Sequence, residues 1–485
     1  MIEGLKVVTA QEMARIERGA IAKGASEERW IEAAGRGVAE AVIALIEREK
    51  LPRKVLLLVG KGNNGADALA AGICLLGEGF DVRAFQLYNA GSAYNQKFAE
   101  EFRKRSRGQI ESKLWFEGGV VVDGFLGTGF EGVVEEKMAA AIRAANESGL
   151  PIVAVDIPSG LNGSTGEVGG VAIVARETVA LGLPKMGFFL REGWNCVGRV
   201  RVVDFGLPKE AVAEAEAVAY VPRVLALPKI VRNRHKYQAG YVVGFGGSKA
   251  LSGAAKLSGW AALRAGAGIV RLFSPEEIGP APFELICNRW SGKEWKVALA
   301  KAQAVFVGPG LGQLQKVWLK RYLKEIKPGC VVDADALVAG VEFPKGAVLT
   351  PHRGEALRLL ELQAMPSEEE LFGRIIRFCE RKGCVFVLKG APTFVFRAKS
   401  LPVVVPRGDP GMATAGAGDV LTGVIAALMA QGCSGYEAAI LGVTLHGVAG
   451  EEAAKAKTSY CVVASDLIDF MPRAFEVLMQ SRDIV

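Results

Sequence analysis

The chain has 485 residues, of which 50% are hydrophobic and 23% are charged, and it contains 60 glycines. This length exceeds what one hydrophobic core usually supports, so we expect two α/β domains, and the composition excludes a disordered or fibrous protein. The formal net charge is only +7, and basic residues are interleaved with acidic ones. This pattern argues against nucleic acid as a partner.

Eight cysteines are scattered along the chain without a CxxC spacing or a flanking histidine pair. Neither a zinc site nor a disulfide framework is therefore indicated. No apolar run reaches about 18 residues, and charges interrupt the first residues too early for a secretory signal. We expect a cytoplasmic protein that does not bind membranes and that forms homo-oligomers.

The first predicted elements are helical, because apolar residues recur at three- and four-residue steps from 9 to about 50. After Pro52, short β-branched runs alternate with helix-compatible stretches such as 67–78 and 135–148. This alternation predicts right-handed βαβ units and a parallel sheet covered on both faces. The predicted strands are 55–60, 82–87, 120–124, 152–156 and 199–204.

A proline-punctuated, alanine-rich stretch at 207–232 predicts a domain boundary. Beyond it the strand and helix alternation restarts, without a short repeat that would relate the two halves. We therefore expect one domain at 1–210 and a second at 225–485. The predicted strands of the second are 241–247, 269–274, 304–310, 330–335, 348–352 and 385–390.

The segment VLLLVGKGNNGADALAAG predicts a buried strand, a glycine turn and a helix that opens near Asp67. Such a turn directs backbone N–H groups at an anion and places Asn63, Asn64 and Asp67 at the carboxyl end of the sheet, where ligands of open α/β folds bind. A plain packing turn is the alternative that the glycines alone leave open.

Two further segments place an acid at the end of a predicted strand. They are VVVDGFLGTGFEG, with Asp123, and VAVDIPSGLNG, with Asp156. Either acid could cap a following helix, but the turn after Asp156 already has its own turn-forming residues at 157–160. Three strand ends are thus predicted to converge on one crevice.

These segments, with TVALGLPKMG at 178–187, resemble the NAD(P)H-hydrate epimerase family over most of residues 9–206. The resemblance implies a Rossmann-like α/β/α sandwich that acts on hydrated NADH and NADPH. It also implies that Asn64, Asp123 and Ser159 hold K⁺. The implied substrate-binding residues are Asn63, Asn64, Gly65, Ala66, Asp67, Gly127, Thr128, Gly129, Phe130, Glu131, Gly132, Val133 and Asp156.

Asp156 is the candidate catalytic residue of this half. Inverting a carbon that bears both a hydroxyl and the ring nitrogen requires a bond to open and reclose, which a positioned carboxylate assists as acid and base. Ala66 and Ala68 depart from the family's GNNGGDG pattern, which predicts a more restricted turn and a different fit to pyrophosphate. A non-catalytic nucleotide-binding role for this half is the alternative.

The segment GDPGMATAGAGDVLTG near the C-terminus has small residues at 415–418, then Asp419 and an apolar helix. Small residues let consecutive N–H groups face one point, the helix start adds positive potential, and Asp419 lies beside that point as a base. This arrangement suits phosphoryl transfer to a hydroxyl. An N-capping aspartate is the alternative.

GAGD before a helix resembles the ribokinase-like superfamily, an α/β fold. Together with the segments at 235–270, VGPGLG, VVDADAL, LTPHRGE and VLKGAPT, it resembles the ADP-dependent NAD(P)H-hydrate dehydratase over about 228–475. The resemblance implies that Ala254, Gly312, His352 and Asp419 contact the hydrated cofactor. It implies that the adenine nucleotide contacts Lys389, Gly390, Ala391, Pro392, Thr393 and Gly418.

Asp409 and Ala415 depart from the family's asparagine and glycine, but neither change removes the base or the anion-facing turn. A lone loop histidine is usually a surface or core residue, yet the position of His352 at a strand end favours function. His235 and His446 give no such signal.

The two resemblances together imply a bifunctional repair enzyme. The N-terminal half would interconvert the R and S hydrates, and the C-terminal half would dehydrate the S form with Asp419 as catalytic base, Mg²⁺ and a nucleotide. ADP is expected, with AMP and phosphate as products, because the fused arrangement resembles prokaryotic members. A small-molecule kinase of the vitamin-precursor type is the alternative, since GAGD alone does not exclude it.

Overall fold

The computed structural model describes residues 3–89, 91–106, 110–114, 116–312, 316–326 and 329–480. The chain divides between Ala219 and Tyr220 into two compact units, and the start of the first strand, β1 (Glu3–Val7), groups with the C-terminal unit up to Gly4. Within the described ranges, no helix is both long enough and apolar enough to cross a membrane.

The N-terminal unit is built on a seven-stranded sheet with helices on both faces. Its strands are β2 (Lys54–Val59), β3 (Asp81–Gln86), β4 (Ile110–Glu111), β5 (Val120–Gly124), β6 (Ile152–Val155), β7 (Glu177–Leu181) and β8 (Arg199–Val203). Its helices are α1 (Ala10–Ala22), α2 (Glu27–Glu49), α3 (Asn63–Gly77), α4 (Ala93–Ser106), α5 (Glu136–Glu147), α6 (Gly193–Val197) and α7 (Lys209–Glu214).

All pairings in this sheet are parallel, in the order β4-β3-β2-β5-β6-β7-β8. Successive strand residues face opposite cores: Leu57 packs with α2 and α3, whereas Leu58 packs with α5. The predicted parallel, doubly covered sheet is confirmed. The strand order reverses between β2 and β5, so the crevice at their carboxyl ends is where a ligand is expected.

Helix boundaries differ from the sequence prediction in two places. The helical pattern at 9–50 is two helices, capped by Thr9 and Ser26, and Gly24 between them has a φ of 98° that a helix does not allow. Helix α3 begins at Asn63, one turn earlier than the predicted start near Asp67.

Helix α3 is closely packed through small residues. A β-carbon on Gly35 of α2 would lie 2.5 Å from that of Ala70, and one on Gly72 would lie 2.5 Å from a methyl group of Leu57. Real β-carbons do not approach this closely, so these two glycines set the distance from α3 to α2 and to the sheet.

The C-terminal unit is built on a larger, mixed sheet. Its strands are β9 (Ala219–Val224), β10 (Tyr241–Phe245), β11 (Ile269–Ser274), β12 (Leu285–Arg289), β13 (Ala304–Val307), β14 (Cys330–Val332), β15 (Val348–Leu349), β16 (Val385–Leu388), β17 (Thr393–Phe396) and β18 (Val403–Val405). Its helices are α8 (Ser252–Arg264), α9 (Glu294–Lys301), α10 (Lys316–Tyr322), α11 (Arg353–Leu359), α12 (Glu368–Lys382), α13 (Ala417–Ala430), α14 (Gly435–Lys457), α15 (Ala464–Asp469) and α16 (Met471–Gln480).

The strand order is β1-β9-β18-β17-β16-β15-β14-β13-β10-β11-β12. Strands β10 to β16 pair in parallel, whereas β17 is antiparallel to both β16 and β18. The order reverses between β10 and β13, and helices α8 and α13 belong to the core that covers one face. The predicted α/β class is confirmed for this unit as well.

Two candidate active sites

The first turn of α3 lies at the crevice of the N-terminal sheet. Asn64 Nδ2 donates a hydrogen bond of 2.7 Å to the carbonyl oxygen of Leu126, so the helix start is tied to the loop after β5. Asn63 Nδ2 donates to Glu27 Oε1 at 2.6 Å. Gly65 is required, because a β-carbon there would lie 2.2 Å from the carbonyl oxygen of Gly60.

Ala66 and Ala68 lie inside α3 with fully buried methyl groups. Neither residue has a positive φ, so alanine costs no backbone strain at either position. The restricted turn that we predicted from these alanines therefore does not arise, because the helix begins before them. Ala68 instead packs on β5, where a β-carbon on Gly124 would lie 2.5 Å from its own.

Asp123, near the end of β5, and Ser159, in the turn after β6, form a buried pair. Ser159 donates to the two Asp123 carboxylate oxygens, from its N–H at 2.8 Å and from its hydroxyl at 2.6 Å. The Leu126 N–H donates to the same hydroxyl at 2.8 Å. Burial raises the pKa of Asp123 to about 6, against the opposing effect of these bonds. Asn64, Asp123 and Ser159 are thus brought together around Leu126.

Asp156 follows β6 in a left-handed conformation, with a φ of 62°. Its carboxylate accepts a hydrogen bond of 3.1 Å from the Leu181 N–H and forms an ion pair with Lys185. Lys185 is fully buried, and its Nζ also donates to the Leu181 carbonyl oxygen at 3.0 Å. A strained non-glycine residue that holds a buried ammonium is typical of functional sites.

Two further acids lie close enough to Asp156 to be repelled by its charge. Burial, followed by repulsion from Asp156, raises the pKa of Glu17 to about 7 and that of the buried Asp67 well above its usual value. Glu17 and Lys185 were both missed by the sequence analysis. TVALGLPKMG contains Lys185, but its partner lies 29 residues earlier in the chain.

The other predicted substrate contacts lie in the loop that follows β5. Gly127 adjoins Asn64, since a β-carbon there would lie 3.2 Å from Asn64 Oδ1. Glu131 accepts a hydrogen bond of 3.0 Å from Gln11 Nε2, and the Val133 side chain is exposed. Thr128, Gly129, Phe130 and Gly132 complete the loop.

Asp419 lies in the first turn of α13, as predicted. Gly416 caps this helix with a φ of 92°, and the Asp419 carbonyl oxygen accepts a hydrogen bond of 2.8 Å from Ser258 Oγ on α8. The same hydroxyl donates to the Ala254 carbonyl oxygen at 3.1 Å, so Ala254 and Asp419 share one partner. The turn is therefore fixed to α8 through its backbone, which leaves the carboxylate for other contacts.

Lys389, at the end of β16, lies among acidic side chains. Its Nζ is 2.8 Å from Asp333 Oδ1 and 3.7 Å from Glu355 Oε2. Thr422 Oγ1 donates to the other Asp333 oxygen at 2.8 Å. Burial, then repulsion from Asp333, raises the pKa of Asp419 to about 7, because Lys389 only partly offsets these effects.

His352, which lies shortly after β15, is also the N-cap of α11. Its Nδ1 accepts hydrogen bonds from the N–H groups of Gly354, at 3.0 Å, and Glu355, at 3.3 Å, and so caps α11. The side chain is 57% exposed, and its Nε2 lies 3.6 Å from Glu355 Oε2. A short parallel bridge joins His352 to Lys389.

The remaining predicted residues lie at the same edge of the sheet. The Gly312 N–H donates to Asp335 Oδ2 at 2.9 Å. A β-carbon on Gly418 would lie 3.2 Å from Lys389 Nζ, so the Gly418 backbone lies directly against the ammonium group. Gly390, Ala391, Pro392 and Thr393 form the turn between β16 and β17, closed by Thr393 Oγ1 donating to the Gly390 carbonyl oxygen at 3.0 Å.

Asp333, Asp335 and Glu355 were not named by the sequence analysis, although their motifs were. A signal was available for Asp333, because it directly follows β14, much as Asp123 is the penultimate residue of β5. Within the described part of the chain, no three His, Cys, Asp or Glu side chains are arranged to hold a metal ion.

Two family descriptions match the two halves of the chain. NAD(P)H-hydrate dehydratase matches residues 242–473, and YjeF-related protein N-terminus matches residues 27–187. A bifunctional NAD(P)H-hydrate repair enzyme from Moorella thermoacetica is 34% identical over 517 residues, with 96% of each chain covered. Its counterpart from Escherichia coli is 34% identical over 439 residues, with 87% of this chain and 85% of that one covered.

Among solved structures, an ADP/ATP-dependent NAD(P)H-hydrate dehydratase from Bacillus subtilis, co-crystallised with ATP and Mg²⁺, has a TM-score of 0.46 and 26% identity. The match covers 52% of this chain and 94% of that one. The near full-length identity to the curated relatives decides the family. The chain belongs to the bifunctional NAD(P)H-hydrate repair enzymes.

Proposed function

We propose that the N-terminal unit interconverts the R and S hydrates of NADH and NADPH, and that the C-terminal unit dehydrates the S form at the expense of ADP. The observation that carries this proposal is Asp419, a carboxylate with a pKa of about 7 in the first turn of a helix, beside a lysine. A base that titrates near neutrality, next to an anion-binding turn, suits activation of a hydroxyl by phosphoryl transfer.

In the N-terminal site, Asp156 acts as acid and base while the ring bond opens and recloses. The ion pair with Lys185 and the bond from the Leu181 N–H fix the direction of its carboxylate. The start of α3, Asn63 to Asp67, and the loop 127–133 bind the hydrated cofactor, with helix N–H groups directed at its pyrophosphate.

The proposed K⁺ ligands are Asn64, Asp123 and Ser159. Asn64 uses its amide nitrogen for Leu126, which leaves its oxygen for a cation, and the hydroxyl of Ser159 lies in the same buried cluster. Amide, hydroxyl and carboxylate oxygens fit a hard alkali cation. K⁺ in this place would supply positive charge next to a bound pyrophosphate.

In the C-terminal site, Asp419 removes the proton from the ring hydroxyl as that oxygen attacks the terminal phosphorus of ADP. The P–O bond to AMP breaks, and the phosphorylated hydroxyl then leaves as phosphate while the neighbouring ring carbon loses a proton and the double bond re-forms. The net change is S hydrate plus ADP to NAD(P)H, AMP and phosphate. Lys389 to Thr393 and Gly418 bind the nucleotide, whereas Ala254, Gly312, His352 and Asp419 contact the hydrate.

Asp333 and Glu355 are the residues that would hold Mg²⁺. They supply two carboxylates beside Lys389, and Mg²⁺ in nucleotide sites usually combines one or two carboxylates with substrate phosphates and water. The carboxylate oxygens are thus of the donor type that Mg²⁺ prefers, and substrate phosphates and water would complete its coordination. Mg²⁺ would neutralise charge that develops on the transferred phosphoryl group.

The family matches favour this function over the vitamin-precursor kinase, because the relatives covering nearly the whole chain are repair enzymes. The ion pair of Asp156 with Lys185 also supports catalysis, and not only binding, in the N-terminal half.

The test is to give the purified full-length protein a mixture of R and S hydrates with Mg²⁺ and either ADP or ATP. Recovery of reduced cofactor is followed by its near-ultraviolet absorbance, and the nucleotide products are separated by chromatography. Complete recovery from the mixture with formation of AMP is expected. Accumulation of a stable phosphorylated metabolite would overturn the proposal in favour of a kinase.

A further inference from the structure

His446, on α14, contacts the first turn of the helix that bears Asp419. Its Nε2 lies 2.9 Å from the carbonyl oxygen of Ala417. A carbonyl oxygen only accepts hydrogen bonds, so Nε2 bears the proton and donates. Burial lowers the pKa of His446 to about 4, and the neutral ring therefore keeps this single donor at neutral pH.

The bond to Ala417 restrains the next residue as well. A trans peptide unit is planar, so the carbonyl of Ala417 and the N–H of Gly418 point in opposite directions. Fixing the oxygen toward α14 thus fixes the N–H toward the open N-terminal end of α13. The first N–H groups of a helix have no partner within it, and the N–H of Gly418 is one of them.

We infer that His446 is a positioning residue of the C-terminal site, which orients the Gly418 amide for the phosphates of the bound nucleotide. The inference rests on the proposed function, because that function makes an adenine nucleotide the ligand of this turn. Gly418 lies against Lys389, so the amide and the ammonium act on the same anion. A turn held in its binding conformation binds more tightly, since no ordering cost remains at binding.

The neighbouring α14 residues do not share this role. Thr444 donates to the Ile440 carbonyl oxygen of its own helix at 2.8 Å. Gly442 is an apolar contact, where a β-carbon would lie 2.7 Å from Ile425 Cγ1. Thr444 is a buried polar residue on the same helix that does not reach the turn, so it provides a control.

The experiment is calorimetric titration of the full-length protein with ADP and Mg²⁺, for wild type and four variants. His446→Leu removes the donor and should raise the Kd for ADP about tenfold, as expected for one lost hydrogen bond. His446→Gln places an amide nitrogen near the former Nε2 and should restore most of the affinity. His446→Asn is one bond too short and should not, and Thr444→Val should stay within about twofold of wild type.

Equal ADP affinity of His446→Leu and wild type would overturn the inference. So would equal weakness of His446→Gln and His446→Asn at matched thermal stability, because a purely structural role does not depend on where the donor lies. If His446→Leu fails to fold, the comparison of glutamine with asparagine decides alone. Absence of ADP binding by the wild type would instead overturn the proposed function.

Discussion

The two sites use a buried or partly buried lysine in different ways. In the N-terminal unit, Lys185 bonds Asp156 itself, and the nearby acid with a pKa of about 7 is Glu17. In the C-terminal unit, Lys389 bonds Asp333, and the acid with a pKa of about 7 is Asp419. In each site the lysine thus bonds one carboxylate, while burial raises the pKa of a different carboxyl group to about 7.

The largest effect should come from substituting the two proposed catalytic carboxylates, Asp419 and Asp156, one at a time. We expect Asp419→Asn to lower dehydration of pure S hydrate by about 10³-fold, because general-base catalysis typically contributes 10² to 10⁴. Epimer exchange, followed by NMR or chromatography, should be unchanged. Asp156→Asn should do the reverse, and a loss of both activities in either variant would show that the two sites are not independent.

The next effect tests what Lys185 contributes. Lys185→Met leaves the Asp156 carboxylate buried without its cation, and breaking a buried pair in this way costs about 3–5 kcal/mol. We expect the free energy of unfolding of the N-terminal unit, measured by urea denaturation, to fall by that amount. Lys23→Met, at an exposed ion pair with Glu214, is the control and should change stability by less than about 1 kcal/mol. Equal losses of unfolding free energy in the two variants would mean that the buried pair contributes no more to stability than the exposed pair.

The next prediction concerns the pH dependence of dehydration, which should follow the ionisation of Asp419. Asp419 must be unprotonated to accept a proton, and its pKa is about 7, so kcat/KM of dehydration should fall about tenfold per unit as pH drops below 7. Above pH 7 the profile should be flat. An inflection near pH 4, the ordinary range of an aspartate, would contradict the raised pKa.

A further prediction tests whether Glu17 takes part in proton transfer in the N-terminal site. If it exchanges a proton with the substrate or with Asp156, the pH profile of epimerisation has an inflection near 7 that Glu17→Gln removes. We expect that variant to be slower by about tenfold to a hundredfold. An unchanged profile would leave Asp156 as the sole acid and base of this half.

The smallest effect concerns the departure from the family pattern. Ala66→Gly restores the family glycine, yet it should change epimerisation by less than about twofold, because the methyl group is buried in α3. It should lower stability by about 1 kcal/mol, the usual cost of glycine inside a helix. A marked gain in epimerisation would show that Ala66 restricts the substrate after all.

The sequence predicted the parallel strands and the segments that form both sites, because β-branched runs and strand-end acids are local signals. It placed the start of α3 too late, since GNNG has the composition of a turn, whereas Gly62 is the N-cap of the helix and Asn63 its first residue. The hairpin of β17 and β18 was missed because these strands are only 4 and 3 residues long.

Pairings distant in sequence could not be predicted. Lys389 and Asp333 are 56 residues apart, and Thr422 and Asp333 are 89 apart, so only the folded sheet brings them together. The role of His446 was invisible for the same reason, since its partner Ala417 lies one helix earlier.

The close packing of α3 limits how this chain can vary. Gly35 and Gly72 touch their neighbours at distances that exclude a β-carbon, and Gly65 does so within the proposed substrate site. In a saturation-mutagenesis library, we expect Gly65 and Gly72 of α3 to accept almost no larger residue, whereas the exposed Val133 in the loop at 127–133 should tolerate more. Evolution of substrate preference in this half is therefore expected to proceed through the loop, with α3 held constant.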